Sequence, residues 1–193
     1  MEGLIRAFIA IELSEQIRDQ LDSVVRAINS NRSLPVKWVS GKNIHLTLKF
    51  LGEQQRDKIN ALESSLRPEM CMVKPFEITV SGFGAFPNFN RPRVIWVGVQ
   101  APQDLNKLQL KVENLARQAG FEAEGRTFSP HLTLGRLSHS LYPHQVEGIA
   151  QALQLVKVGE LGRMSVQSLS IFRSTLTPAG AVYTPLSILP FSC

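Results

Sequence analysis

The tetrapeptide HLTL occurs twice in this chain, at residues 45–48 and at residues 131–134, 86 positions apart. On a β-strand, alternate side chains share a face, so His45 and Thr47 would lie together while the two leucines point into the core. The second copy has the same spacing. Each copy therefore predicts an imidazole and a hydroxyl side by side on one face of a strand.

Two imidazoles that face each other can act as a general acid and a general base. The ordinary histidine pKa is near 6.5, so close to pH 7 one ring of His45 and His131 can be neutral while the other is protonated. The hydroxyls of Thr47 and Thr133 can donate to the non-bridging oxygens of a phosphate. In-line attack at phosphorus needs a base on one side and an acid on the other. The pattern therefore indicates phosphoester cleavage.

Other interpretations of these residues have weaker support in the sequence. Neither copy has the H-x-H or H-x3-H spacing of a metal site, or an acidic neighbour at ligand spacing. A nucleophilic serine would be expected in a G-x-S-x-G context, which the sequence lacks. A single histidine beside a threonine on a strand is usually structural, but its repetition favours function. We interpret His139, in a loop, and His144, at a helix start, as solvated.

The elements around the two copies recur in the same order. Residues 1–90 predict a strand at 5–13, a helix after Ser14, the first HLTL strand ending at Leu51–Gly52, a helix stopped by Pro68 and a strand from residue 76. Residues 91–193 predict a strand at 93–99, a helix ending near Gly120, the second HLTL strand at 128–137, a helix from residue 143, a strand at 164–174 and, after a turn at 178–180, a final strand.

This recurrence predicts a duplicated unit rather than a solenoid, which needs at least three short repeats. We expect one α+β domain over residues 1–193, with duplicated units at about 1–90 and 91–193. Each of two similar lobes would be an antiparallel sheet with helices on its outer face. An approximate two-fold axis would relate the lobes and place the active cleft between them.

The charge of the chain favours an anionic partner. The formal net charge is +5 and the pI is about 9.5, and a basic surface attracts phosphates. No run of five Lys or Arg occurs, which predicts a short contact with nucleic acid rather than a basic tail.

Several features predict a cytoplasmic protein. Apolar stretches are far shorter than the roughly 20 residues that span a bilayer, and the N-terminal segment lacks the pattern of a secretory signal. Cys71 and Cys193 lie in unrelated contexts, which fits a reducing compartment better than a disulfide framework.

The paired H-x-T-x motifs resemble those of the two-histidine phosphoesterase superfamily. The segments RAFIAIEL, VKWVSGKNIHLTLKFLGE, FPNFNRPRVIWVGV, FSPHLTLGRL and SIFRSTLTPAGAVY are similar to its RNA 2′,3′-cyclic phosphodiesterase branch, also called 2′-5′ RNA ligase. The resemblance implies metal-independent hydrolysis of an RNA terminal 2′,3′-cyclic phosphate to a 2′-phosphate, without a cofactor. It also implies that His45 is the proton donor, His131 the proton acceptor, and that Thr47 and Thr133 hold phosphate oxygens.

The resemblance adds two substrate-binding candidates, Arg136 for phosphate and Phe50 for stacking on the terminal base. Strict alternation would put Arg136 on the core face, so a bulge or strand end at Gly135 must redirect it. Alternation also puts Phe50 on the face of Leu46 and Leu48, which leaves core packing open as its role.

Alternative functions are a phosphodiesterase acting on small nucleotide cyclic phosphates, a 2′-5′ RNA ligase, and a non-catalytic protein that binds RNA ends. The expected partner in each RNA-directed case is an RNA end bearing a 2′,3′-cyclic phosphate. We expect a monomer that does not associate with membranes.

Overall fold

The computed structural model of the chain describes residues 3–29, 34–100, 102–138, 140–178 and 180–193; His139 lies outside these ranges. The strands are β1 (Ile5–Glu12), β2 (Val36–Trp38), β3 (His45–Gln54), β4 (Phe76–Phe86), β5 (Val94–Gln100), β6 (His131–Leu137), β7 (Glu160–Val166), β8 (Ser168–Thr177) and β9 (Gly180–Pro190). The helices are α1 (Glu15–Asn29), α2 (Arg56–Cys71), α3 (Gln103–Gln118) and α4 (Pro143–Gln154), with a 3-10 turn at Gly41–Asn43.

The strands form one antiparallel sheet in the order β7-β4-β5-β6-β3-β1-β8-β9, and β2 pairs with β6 beside this path. We call β3, β1, β8 and β9 lobe one, and β6, β5, β4 and β7 lobe two. The lobes meet where Leu46 of β3 pairs with Leu132 of β6. These leucines hold the same position in the two motifs, so the approximate two-fold axis passes close to this pair.

In each half of the sequence, the strand that ends the repeated unit pairs with a strand from the other half. The strand β4 ends the first half but pairs with β5, and β8 comes from the second half but pairs with β1. The strand predicted at 164–174 is therefore wrong as one element: it divides at Gln167 into β7, which pairs with β4, and β8. The alternation of apolar residues shifts by one position at Gln167 and Ser168, which marks a break in the strand but does not show the change of lobe.

One hydrophobic cluster joins the sheet to the helices. The side chains of Ile17 in α1, Leu62 in α2, Leu105 in α3 and Leu153 in α4 are completely buried in it. The predicted end of α2 at Pro68 is wrong, because the helix continues to Cys71. Burial of its last turn supports this extension past the proline, since Met70 is completely buried.

The expectation that the two cysteines lie in unrelated contexts is also wrong. Cys71, at the end of α2, and Cys193 form a disulfide, with their Cα atoms 4.8 Å apart. Their separation of 122 positions along the chain hides this proximity from the sequence. No helix in the described ranges is long and apolar enough to cross a membrane.

Candidate active site

A β-bulge directly follows the first H-x-T sequence. Pairing of β3 with β1 passes from Thr47 to Lys49 and leaves Leu48 without a partner. The bulge exchanges the faces of the residues after it, so Lys49 is buried while Phe50 is 61% exposed. The ring of Phe50 lies 6.3 Å from that of Phe8, on the face opposite the core. Core packing of Phe50 is therefore excluded, and the bulge is the physical reason.

The second motif has the same bulge at the equivalent residue. Pairing of β6 with β5 passes from Thr133 to Gly135 and skips Leu134, which puts Arg136 on the exposed side of the strand. The bulge therefore turns the side chain of Arg136 away from the core, as the alternation of the sequence required. Gly135 is needed here, because a Cβ atom would lie 2.7 Å from Cγ1 of Val36.

The four motif side chains lie on one face of two neighbouring strands, which we call the motif face. Leu46 and Leu132 pair with each other and are completely buried, so the residues on either side of each point the opposite way. His45, Thr47, His131 and Thr133 are all partly exposed there. In a regular antiparallel pair the two histidines would be diagonal neighbours, about 7–8 Å apart, and that spacing suits a phosphate between them.

Both imidazoles are held by the same kind of hydrogen bond. Nδ1 of His45 donates to the carbonyl of Asn43 at 2.8 Å, and Nδ1 of His131 donates to the carbonyl of Ser129 at 2.7 Å. A carbonyl oxygen can only accept, so each Nδ1 carries the hydrogen. Nε2 of each ring is therefore the atom that can take up or release a proton.

Aromatic rings enclose His45. Phe8 stacks on the imidazole with 4.6 Å between ring centroids, and Tyr183 meets it edge-on at 5.0 Å. Burial, which disfavours the charged ring, is the main cause that lowers the pKa of His45. The bond to Asn43 opposes this shift, and the positive charge of Arg136 adds to it. Arg136 therefore acts electrostatically across the junction between the lobes, on the histidine of the other motif.

The surroundings of His131 differ. Phe86 meets its ring edge-on at 5.0 Å, and Trp96 lies 6.5 Å away. Its anchoring bond to Ser129 is exposed, whereas that of His45 is partly buried.

Sequence reasoning missed the aromatic residues around both histidines. Phe8 and Tyr183 come from β1 and β9, and Phe86 and Trp96 from β4 and β5. The alternation in RAFIAIEL indicates that Phe8 points away from the core, but only the pairing of β1 with β3 brings it to His45.

The other candidates fall outside this site. His144 lies exposed in the first turn of α4, where its ring stacks on Tyr142 with 5.8 Å between centroids. Within the described ranges it makes no hydrogen bond, ion pair or ring contact with the four motif residues. No group of three His, Cys, Asp or Glu side chains in the described part of the chain is arranged to hold a metal ion.

Known proteins share both the sequence pattern and the fold. The chain is 35% identical over 184 residues to an RNA 2′,3′-cyclic phosphodiesterase of Methanothermobacter thermautotrophicus, covering 95% of this chain and 97% of the relative. It is 34% identical to a Thermotoga maritima protein of the same name, over 94% and 92% of the two chains.

A crystal structure of Escherichia coli LigT complexed with 3′-AMP superposes with a TM-score of 0.78 and 26% identity, over 98% of this chain and 99% of that one. The family model for LigT-like phosphoesterases matches twice, at residues 11–96 and 97–183. The chain therefore belongs to the LigT-like phosphoesterase family of the two-histidine superfamily.

Proposed function

We propose that this protein is an RNA 2′,3′-cyclic phosphodiesterase, which hydrolyses a terminal 2′,3′-cyclic phosphate to a 2′-phosphate without a metal or another cofactor. The observation that carries the proposal is the pair of imidazoles, each anchored through Nδ1 to a backbone carbonyl, on one face of adjoining strands. The activity named for the relatives agrees with this chemistry.

We assign the proton transfers as follows. Nε2 of neutral His131 accepts a proton from water as the water oxygen bonds to phosphorus. The bond between phosphorus and O3′ breaks, and Nε2 of protonated His45 supplies the proton that O3′ takes up. The products are a 2′-phosphate and a free 3′-hydroxyl, and exchange of protons with solvent resets the two rings.

The assignment of His45 as the donor places a requirement on the substrate. Its pKa is lowered in the free protein, so the neutral ring is favoured there. The negative charge of a bound phosphate favours the imidazolium and raises the pKa of His45 again. Binding of the substrate would therefore help to put the proton where the leaving oxygen needs it.

The remaining roles follow from position on the motif face. The hydroxyls of Thr47 and Thr133 stand beside the imidazoles and donate to the non-bridging oxygens. Arg136 offsets the phosphate charge, and the exposed ring of Phe50 stacks on the terminal base.

We also propose that the chain acts as one monomeric domain over residues 1–193, with units at about 1–90 and 91–193, and that it works in the cytoplasm.

If the protein works in the cytoplasm, the Cys71–Cys193 disulfide is a bond formed on oxidation, because thiols are kept reduced in that compartment. Alkylation of thiols at the moment of cell lysis, followed by mass spectrometry, should find both cysteines blocked. Detection of the intact disulfide at that stage would place the protein elsewhere.

Product analysis tests the proposed reaction. An oligoribonucleotide ending in a 2′,3′-cyclic phosphate should be converted to a 2′-phosphate end, with the same rate in the presence of EDTA. A 3′-phosphate product would reverse the position of the donor, and loss of activity in EDTA that one divalent ion restores would refute the metal-independent mechanism. Binding of the RNA end without turnover would support an end-binding protein, and joining of ends would support a ligase.

A further inference from the structure

A second cation lies directly beside Arg136 on the motif face. The short strand β2 pairs with β6 in the register Val36 to Leu137, Lys37 to Arg136 and Trp38 to Gly135. Val36 and Trp38 pack against the hydrophobic core, so Lys37 points the opposite way, toward the side that Arg136 occupies. Both side chains are exposed.

This arrangement is unfavourable in the free protein. Residues directly opposite each other on antiparallel strands have Cβ atoms about 4.5–5.5 Å apart, and like charges at such positions repel. Within the described ranges neither Lys37 nor Arg136 makes an ion pair or a side-chain hydrogen bond, although eight ion pairs are present there. A bound anion would remove the repulsion.

The position of the pair indicates which anion it receives. Beyond Thr133 the bulge places Arg136 about two regular strand positions further along β6, or roughly 7 Å. A phosphate held by the motif threonines would therefore leave Lys37 free to meet a different phosphate. In a nucleic acid the nearest candidate is the phosphate on the other side of the same ribose.

We infer that Lys37, which lies beside Arg136, binds the 5′-phosphate of the nucleotide whose 2′,3′-cyclic phosphate is hydrolysed. The inference rests on the proposed function and extends it. It makes the preferred substrate the end of an RNA chain, or a 5′-phosphorylated nucleotide, rather than a nucleoside 2′,3′-cyclic phosphate.

Two substrates that differ by a single group test this site. Adenosine 2′,3′-cyclic phosphate and its 5′-phosphorylated form should be compared by kcat/KM in the wild type, in Lys37→Gln and in Lys37→Arg. The wild type should favour the 5′-phosphorylated form, and Lys37→Gln should lose about 5- to 10-fold more activity on that form than on the other. Lys37→Arg, which keeps the charge, should retain the preference.

Two further measurements separate a specific contact from the net charge. Lys74→Gln removes the same charge from an exposed position after α2 and should leave the preference unchanged. The advantage of the 5′-phosphate should fall with rising salt in the wild type, with a smaller slope in Lys37→Gln.

An equal loss on both substrates, or no loss on either, would refute the Lys37 site while leaving the proposed hydrolysis intact. Absence of hydrolysis of either substrate by the wild type, together with no action on RNA ends, would instead refute the proposed function.

Discussion

The two H-x-T-x strands have the same local construction but different surroundings. In both, the imidazole is anchored through Nδ1 two residues upstream, and a bulge follows the threonine. After the bulge they diverge. Lys49 donates from the core side to Glu113 and to the carbonyl of Glu122, each at 2.8 Å, whereas Gly135 leaves room for Val36 and Trp38.

The residues on the exposed side diverge as well. Phe50 follows the first bulge and Arg136 the second, so the exposed residue after the bulge is aromatic in lobe one and basic in lobe two. Rings of Phe8 and Tyr183 enclose His45 and lower its pKa by excluding water. The comparison teaches that the motif itself sets the tautomer of each histidine, while the aromatic side chains around His45 bury that ring and lower its pKa.

The largest expected effect comes from removing either imidazole. His45→Ala and His131→Ala should each reduce kcat by about 10²- to 10⁴-fold, the usual contribution of a positioned proton-transfer group. The matched control is His144→Ala, because that ring lies on α4 away from the motif face. The three variants should be compared by their initial rates on an RNA end that carries a 2′,3′-cyclic phosphate. A loss of similar size in His144→Ala would contradict the assignment of His45 and His131 as the proton-transfer groups.

A smaller effect on the pH profile should distinguish the aromatic surroundings of His45 from those of His131. Phe8→Leu would admit water to His45 and raise its pKa toward the ordinary histidine value, since burial is the main cause of its lowering. The limb of the pH profile of kcat/KM that disappears in His45→Ala should therefore move upward in Phe8→Leu. Phe86→Leu makes the same change beside His131 and should not move that limb; equal movement in both variants would contradict the separation.

Much of this site could be predicted from the sequence because its signals are local. Alternation along each HLTL segment gave the face of the four motif side chains, and the repeated order of elements gave two related lobes. The bulge was foreseen only near Gly135, where a charged Arg136 would otherwise enter the core. No such conflict marks the bulge at Leu48, because an aromatic side chain such as that of Phe50 can lie on either face of the strand.

The features that sequence reasoning missed depend on long-range pairing. Nothing local in MSVQSLSIFRS shows that its two parts join different lobes at Gln167, and nothing near Cys71 shows the approach of Cys193. The neighbour of Arg136 across β6, Lys37, is likewise separated from it by almost 100 residues. Such contacts are set by the packing of the whole sheet rather than by a motif.

The pH dependence of kcat/KM in the wild type and in the two single variants tests the central claim most directly. The claim requires one neutral and one protonated imidazole, so the wild type should give a bell whose limbs belong to the coupled pair. His131→Ala should lose the acidic limb and keep an alkaline limb that lies below the ordinary histidine pKa, because the pKa of His45 is lowered in the free protein. His45→Ala should lose the alkaline limb. Persistence of both limbs in either variant would mean that other groups titrate and would contradict the two-histidine mechanism.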